Sequence, residues 1–293
     1  MLSGIYWTFP PIFADAESVV SRAVEARRPV QTASLDGATQ AEALSFDTLP
    51  DIQLTPSIRA HRKTIEMLEA GVARLNAVSG YTAEFAKTEV VSGSLTDPQT
   101  MRLKLRHEPF SVYMKWTEGS PGQELLYVEG QQDGEMIVRP GGLRGRFLGA
   151  IKLDPTGTLA LSESRHPVTQ IGLLHLSKKI LDYRYDEAGW TSGYTCTEDS
   201  ATVGDRPCRR FTIVYDSPTV RADYRKSVIW IDEELQLATK IENYGWPAED
   251  YASDRVDSET LLESYRYTNI NLDSHLAAVD FTAANEDYGL RRR

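Results

Sequence analysis

The sequence predicts an α+β fold: one large antiparallel sheet of about ten strands, curled into a half-barrel, with two or three helices packed on its concave face. Short runs of alternating apolar and polar residues follow one another between residues 81 and 272, separated by turn-forming residues. Two stretches have a helical pattern, at residues 56–78 and 168–181. Strands and helices do not alternate, which argues against a doubly wound parallel sheet.

The first helix has a clear start at Thr55-Pro56, a capping residue followed by proline at the first helical position. Apolar residues then recur three and four positions apart, as one face of a helix requires. They are Ile65, Leu68, Val72, Leu75 and Val78. Ser79-Gly80 ends the pattern. This apolar stripe needs an apolar partner, and we expect the sheet that follows to provide it.

The strands of the first half are clearly patterned. Met101 to His107 alternates apolar and basic residues without a break, which is typical of an antiparallel strand with one solvated face. Four further runs are predicted as strands, at residues 81–91, 110–116, 124–129 and 135–139. Short connections make neighbours in the sequence neighbours in the sheet.

The middle of the chain, residues 153–181, predicts a connection between two meanders. Residues 154–157 form a turn, Thr158 to Ser162 has the length of a short strand, and residues 164–167 break the pattern. Pro167 is then the predicted first position of a helix. We expect this helix to cover the concave sheet as a lid. Its residues predicted to face the sheet are Val168, Ile171 and Leu174.

The second half contains four more predicted strand regions, at residues 209–216, 226–232, 235–244 and 262–272. The two cysteines of the chain, Cys196 and Cys208, flank a polar loop at Gly204-Asp205 between two strand-like runs. A cross-strand disulfide fits this arrangement and implies an oxidising compartment. Two unpaired thiols or half of a metal site are the alternatives, although no further His or Cys lies near enough to complete such a site.

The pattern divides the chain into three parts. Residues 1–54 are predicted as an N-terminal segment, in which Met1 to Ala16 resembles the remnant of an export signal. Residues 55–285 are predicted as one half-barrel domain, and residues 286–293 as a solvated tail. Within the domain, residues 247–260 form an acidic insertion. It is predicted as a solvated loop rather than a calcium loop or docking surface, since the EF-hand spacing and glycine are missing.

The net charge of −10 argues against a nucleic-acid-binding protein, because binding phosphates needs a basic surface. It also disfavours broad adsorption to an anionic membrane, and no apolar run reaches the length of about 18 residues that a spanning helix needs. The sequence lacks a nucleophile elbow, a phosphate-binding glycine loop, an HExxH zinc motif and a dinucleotide-binding glycine motif. It indicates no catalytic residues, no metal and no cofactor.

Several stretches, in their order along the chain, are shared with a known group of proteins. They are the amphipathic helix leading into Tyr81-Thr82-Ala83-Glu84-Phe85, the long meander, the mid-chain helix, the strand Val228-Ile229-Trp230-Ile231-Asp232 and the closing strand Tyr265-Arg266-Tyr267-Thr268-Asn269-Ile270. Over residues 57–285 the chain resembles the LolA-like group of lipoprotein carriers and lipid-binding half-barrels. It is most similar to an uncharacterised branch of unknown function, in which YVEG, LDPTG and SRHP have counterparts.

This resemblance implies a non-enzymatic, periplasmic or otherwise extracytoplasmic protein that holds a lipid or the acyl chain of a lipoprotein between sheet and helices. Large apolar side chains on one face of the sheet are the candidate contacts: Phe85, Leu103, Leu105, Val112, Met114, Trp116, Phe211, Ile213 and Trp230. The lid adds Ile171 and Leu174, with Arg165 and His166 at the rim, where the arginine can hold a phosphate or carboxylate.

Two other interpretations stay open. In the first, the protein is an envelope hydrolase in which Arg165 binds the substrate and His166 is a general base. In the second, the core is filled and the protein is a scaffold, with the acidic insertion and the N-terminal segment binding a protein partner. The expected partners are a lipid or an acylated protein, together with a membrane or envelope protein and no nucleic acid. We expect a monomer.

Overall fold

The computed structural model describes residues 55–142, 147, 149–248 and 251–291. In these residues, a single antiparallel sheet of twelve strands dominates the fold. The strands are β1 (Gly80–Val91), β2 (Ser94–Leu95), β3 (Gln99–Arg106), β4 (Ser111–Glu118), β5 (Glu124–Val128), β6 (Met136–Arg139), β7 (Ile151–Leu153), β8 (Tyr194–Val203), β9 (Arg206–Tyr215), β10 (Lys226–Asp232), β11 (Ala238–Tyr244) and β12 (Leu261–Asn271). The described helices are α1 (Pro56–Leu75), α2 (Thr158–Leu161), α3 (Leu173–Glu187) and α4 (Val256–Thr260).

The strand order is β7-β6-β5-β4-β3-β1-β12-β11-β10-β9-β8, with β2 paired to β1. Two meanders thus extend in opposite directions from a central pair, β1 and β12. Phe85 lies opposite Tyr267 in that pair and opposite Met101 in β3. The predicted α+β class and the curled antiparallel half-barrel are confirmed.

Helix α1 begins as predicted, because the Thr55 side chain accepts a hydrogen bond from Ile58 N at 3.2 Å. Its buried face is rotated from the predicted stripe and includes the polar residues His61 and Thr64 beside Leu68 and Leu75. α1 packs on α3 and on β8, β9 and β10. At Gly71 the helix approaches the turn before β11 so closely that an added Cβ would lie 1.9 Å from Gln236 O.

The middle of the chain differs from the prediction in two places. Thr158 to Leu161 forms the short helix α2, not a strand, because the Asp154 carboxylate accepts bonds from Thr156 and closes a turn that leads into α2. A short apolar run does not distinguish strand from helix by its period. The preceding strand β7 is only three residues long and was missed.

The second difference is the start of α3. After Pro167, residues Val168–Gln170 form a single 3₁₀ turn, and Ile171 is extended. Gly172 has a φ of 114°, which breaks the helical path, and α3 begins at Leu173. We call residues 158–171, which include α2 and this turn, the lid segment.

The predicted disulfide is wrong. β8 and β9 form the expected hairpin, but Cys196 lies opposite Ile213 while Cys208 lies opposite Ala201. The register therefore separates the two by five residues, an odd number, and their side chains point to opposite faces, about 16 Å apart along the strands. Both are buried free thiols. The argument from a disulfide to an oxidising compartment no longer applies.

Within the predicted solvated tail, Tyr288 and Leu290 pack instead against the outer face of the sheet. The Tyr288 ring stacks on Tyr113 of β4 at 3.7 Å, and Leu290 is buried with Leu126 and Phe281. The ordered core thus extends beyond residue 285. In the acidic insertion, Asp257 forms ion pairs with Arg225 and Lys226 at the start of β10. The predicted N-terminal segment and export-signal remnant lie outside the described residues.

Candidate functional site

The concave face of the first half-sheet is a continuous apolar surface. Six of the predicted contact residues meet there in one buried cluster: Phe85, Leu103, Leu105, Val112, Met114 and Trp116. Strands β1, β3 and β4 bring them together because alternate residues of neighbouring strands share a face. Val168 joins the cluster from the lid segment, with Ile171 and Leu174 packed against it. We call this surface the concave cluster.

Two buried tyrosines attach the start of α3 to the sheet. The Tyr267 hydroxyl oxygen of β12 accepts a bond from Gly172 N at 3.1 Å, and that of Tyr81 of β1 accepts one from Leu173 N at 2.7 Å. These two N–H groups belong to the first turn, where a helix has no internal acceptors. Burial raises the pKa of both hydroxyls, so they stay neutral. The lid segment therefore ends at a fixed point on the sheet.

Three predicted contact residues lie elsewhere. Phe211 and Ile213 face the same side of the sheet and are fully buried, but in the other half-sheet, over which α1 packs. Trp230 was wrongly assigned to the concave face. It pairs with Arg210 and Lys240, packs with Cys208 on the outer face, and carries the Lys240 ammonium 4.1 Å above its ring.

A buried ionic cluster borders the apolar surface on the same face. Its centre is Glu263 of β12, with the adjacent Glu89 of β1. His166 Nε2 lies 2.9 Å and Arg165 Nε 3.1 Å from Glu263 Oε2. We call this group the Glu263 cluster. It brings together the two polar residues predicted at the rim of the lid.

Neutral groups complete the shell of Glu263. Asn243 Nδ2 donates to Glu263 Oε1 at 2.7 Å, and the Tyr224 hydroxyl donates at 3.2 Å. Burial alone would raise the pKa of this carboxyl, but bonding to His166 and the charge of Arg165 lower it to about 2. Glu263 is thus ionised at neutral pH although it is buried.

Glu89 forms the second half of the Glu263 cluster. Lys87 Nζ donates to Glu89 Oε2 at 2.6 Å and to Ser164 Oγ at 2.9 Å, and Tyr265 donates to Glu89 Oε1 at 2.5 Å. Arg165 N also points to Glu89 Oε2, at 3.3 Å. Both carboxylates therefore hold the part of the lid segment that precedes its 3₁₀ turn. The cluster anchors the lid segment to β1 and β12.

The acidic members of this cluster were missed from the sequence. Glu89 and Glu263 occupy the same strand face as Phe85 and Tyr267, at alternate positions. A charge on the apolar face of a strand is the signal that could have identified them, because a buried charge needs a partner. The pairing of Lys87 with Glu89 could have been predicted from this signal, because the two residues are neighbours on one face of β1. The pairing of His166 with Glu263 could not, because these residues lie 97 positions apart in the chain.

A second buried carboxylate was also missed. Glu187 at the end of α3 accepts bonds from Tyr215 at 2.6 Å and Arg221 at 2.7 Å, and contacts His61 of α1 at 3.3 Å. Burial would raise its pKa, but the bond from His61 and the charge of Arg184 hold the pKa below its usual value. This network joins α1, α3 and β9.

Neither the Glu263 cluster nor the contacts of Glu187 have the set of ligands that a metal centre needs. Within the described ranges, no group of three or more His, Cys, Asp or Glu side chains is arranged to hold a metal ion. The helices that can be described include none with the length and apolar character needed to cross a bilayer.

The fold and the site define a class of protein: an antiparallel half-barrel with an apolar concave surface, a lid attached by buried tyrosines, and a buried ionic anchor. The chain belongs to the family described as "Protein of unknown function (DUF1571)", whose model matches residues 78–290. This confirms the predicted placement in a family of unknown function. Comparison with curated proteins finds no match.

Solved structures with a similar chain path have low sequence identity. A LolA superfamily protein from Nitrosomonas europaea is 12% identical, with a TM-score of 0.31 over 74% of this chain and 96% of that chain. The lipoprotein LppX from Mycobacterium tuberculosis is 10% identical, with a TM-score of 0.42 over 74% and 99%. The MucA/MucB complex of Pseudomonas aeruginosa matches at 14% identity and 0.40, over 75% of this chain and 60% of that chain. The Nitrosomonas protein has the superfamily name that the sequence resemblance predicts. TM-scores below 0.5 at such low identity do not support an inference about function.

Proposed function

We propose that the protein is a non-enzymatic, extracytoplasmic binding protein that holds a lipid or the acyl chain of a lipoprotein against its concave cluster. The observation that carries this proposal is the uneven covering of the sheet. The long helices α1 and α3 lie mainly over β8 to β11, whereas the apolar face of β3 to β6 is covered by the lid segment and by the helix ends next to it, at Leu75 of α1 and at Leu173, Leu174 and Leu176 of α3. A thin, separately anchored cover suits a surface that exchanges a ligand.

The lid segment itself supports the proposal. α2 has no buried residue, and it reaches the concave cluster through the partly buried Ala160. Its two leucines face solvent, with Leu159 59% and Leu161 38% exposed. Two exposed leucines beside an apolar core offer a contact surface to an entering acyl chain. Each methylene it buries contributes about 0.8 kcal/mol.

The hydrolase alternative has no support from the positions of Arg165 and His166. Both side chains contact the buried carboxylate of Glu263, and both are mostly buried themselves. Their contacts fit an anchor for the lid segment.

Two tryptophans on opposite faces allow a sharp test of lipid binding. Trp116 lies in the concave cluster and Trp230 on the outer face. A fatty acid brominated along its chain quenches nearby indole fluorescence. We expect it to quench the protein, the quenching to be largely lost in Trp116→Phe, and the quenching to persist in Trp230→Phe, the matched control.

Mass spectrometry of an organic extract of the purified protein provides the second readout. Co-purified lipid in wild type, reduced in a Met114→Lys variant that places a charge in the concave cluster, supports the proposal. Absence of both extractable lipid and probe quenching contradicts it, as does quenching that depends on Trp230 alone.

A further inference from the structure

A separate cavity of about 530 Å³ lies on the outer face, where the β6–β7 hairpin meets the C-terminal segment. It is within the range of about 300–1,000 Å³ that small-molecule sites occupy. Ile137 and Leu290, which also belong to the outer-face core, line it together with the small residues Ala283 and Ala284. This cavity is on the opposite side of the sheet from the concave cluster.

The polar part of the lining is basic. Lys152 and Arg291 line the cavity with the neutral amide of Gln132, and the described lining residues include no carboxylate. The chain has 42 acidic and 32 basic residues, so a random selection of its charged side chains would contain more acids than bases. A basic rim over an apolar floor matches an anion that carries an apolar body.

Each of the two cations has one carboxylate neighbour, and both pairs are accessible to solvent. Lys152 Nζ lies 3.7 Å from Glu135 Oε2, too far for a hydrogen bond. Arg291 is oriented by the Ala284 carbonyl, which accepts from Nη2 at 2.7 Å and from Nε at 3.2 Å. Its carboxylate neighbour, Glu286 at 3.3 Å, is 89% exposed, so solvent screens the pair. Solvent-exposed ion pairs are weak, so an entering anion can compete with both carboxylates.

A third cation lies beside the same segment. The Arg139 guanidinium packs against the backbone of Gly289, where an added Cβ would be 2.2 Å from Arg139 Nη1. Gly289 N is held by Glu124 Oε2 at 2.7 Å. The segment that forms one wall of the cavity is therefore fixed to β5 and β6, and the cavity is a built feature of the fold.

We propose that this cavity binds a small amphipathic anion, with its carboxylate or phosphate between Lys152 and Arg291 and its apolar body against Ile137 and Leu290. The site is independent of the concave cluster and of the function proposed for it. A carboxylate and a phosphate monoester share the required chemistry, and the test separates them.

Photo-crosslinking locates the bound probe and so distinguishes the two faces. The probes are decanoate and decyl phosphate, each with a diazirine on the chain, and the equivalent decylammonium as charge-reversed control. The full chain is labelled, digested and mapped by mass spectrometry. We expect the anionic probes to label residues 150–152 and 283–291, with the stronger of the two identifying the preferred headgroup, and the ammonium probe to label them at least tenfold less.

Variants complete the test. Lys152→Glu with Arg291→Glu should lower the labelling of this cavity at least tenfold, while Lys178→Glu, an exposed lysine on α3, should leave it unchanged. Ala284→Trp, at an exposed position of the cavity wall, should block labelling without disturbing the core. Unchanged thermal unfolding verifies that each variant is folded. Equal labelling by the ammonium probe, or labelling confined to the concave cluster, would overturn this proposal and leave the first intact.

Discussion

Burial alone would raise the pKa of Glu263, yet His166, Arg165 and Asn243 hold it at about 2. The folded state thus binds a proton on this group less readily than the unfolded state, whose ordinary value is 4.5. Stability from Glu263 is therefore fully present above pH 4.5 and is lost as the pH falls toward 2. At about 1.4 kcal/mol per pKa unit, the group contributes about 3 kcal/mol near neutral pH.

We predict that Glu263→Gln lowers the free energy of unfolding at pH 7 by about 3 kcal/mol, because Arg165 and His166 lose a buried partner. The variant should also lose less stability than wild type between pH 4.5 and pH 2. Urea unfolding at a series of pH values measures both effects. Glu66→Gln, at an exposed position on α1, serves as control and should change stability by less than about 0.5 kcal/mol. An acid dependence identical to that of wild type would show that Glu263 is not the titrating group.

The spacing of Cys196 and Cys208 in the sequence does not determine whether the two side chains meet. Two cysteines on either side of a hairpin turn satisfy the spacing of a cross-strand bridge. The deciding quantity is the parity of the register, which places Cys196 opposite Ile213 rather than Cys208. Register is set by pairing along the whole strand, and the turn residues Gly204-Asp205 alone did not determine it.

At the scale of elements, Gly71 is the position where α1 depends most directly on the sheet. In an exposed helix, Gly→Ala stabilises by about 1 kcal/mol. Here the new methyl group would meet the Gln236 carbonyl at 1.9 Å, so the helix would have to move. We predict that Gly71→Ala destabilises the protein by about 2 kcal/mol, measured by urea unfolding.

The control for this prediction is Ala73→Gly, at an exposed position on the same helix. Its expected cost is about 1 kcal/mol from helix propensity alone. If Gly71→Ala proved more stable than wild type, α1 would not lie against the β10–β11 turn as described.

Elements with a strong local pattern were predictable. The alternation in Met101 to His107 and the cap at Thr55 depend on neighbouring residues only, and both were predicted close to their observed bounds. The lid segment was not, because its path depends on distant acceptors. The start of α3 is set by the hydroxyls of Tyr81 and Tyr267, which lie 92 and 95 residues away in the chain.

The candidate site divides in the same way. Six contact residues of the first half-sheet were correctly grouped, because alternation along adjacent strands fixes their common face. Trp230 was misplaced because β10 is buried on both faces, with Ile229 and Ile231 on one side and Val228 and Trp230 on the other. When both faces are apolar, the period no longer tells which one is concave.

At the scale of the whole molecule, the two meanders are joined through the pairing of β1 with β12, which has one register shift, between Thr82 and Glu84. We therefore predict that both halves unfold together. We compare two variants that each retain one tryptophan, Trp116 in the first half or Trp230 in the second. In each variant, the urea transition seen by tryptophan fluorescence should have the same midpoint as the transition seen by circular dichroism. Fluorescence and circular-dichroism midpoints that differ within one variant by more than the fitting error would mean that the halves are separate folding units.

A variant with proline at Ala86, which pairs with both β3 and β12, should lower both midpoints together.

The central position of β1 also has a consequence for how the chain is made. Among the strands that the structure describes, β1 is the first to leave the ribosome during synthesis and its neighbour β3 follows closely, but β12 is the last. One edge of β1 therefore stays unpaired while some 170 residues are added, a span in which a nascent sheet is open to wrong partners. The charged residues Glu84, Lys87 and Glu89 along this strand oppose such pairing, because an approaching strand would have to bury their charges unmatched. Two of these three residues, Lys87 and Glu89, are also the ones that hold the lid segment in the folded protein.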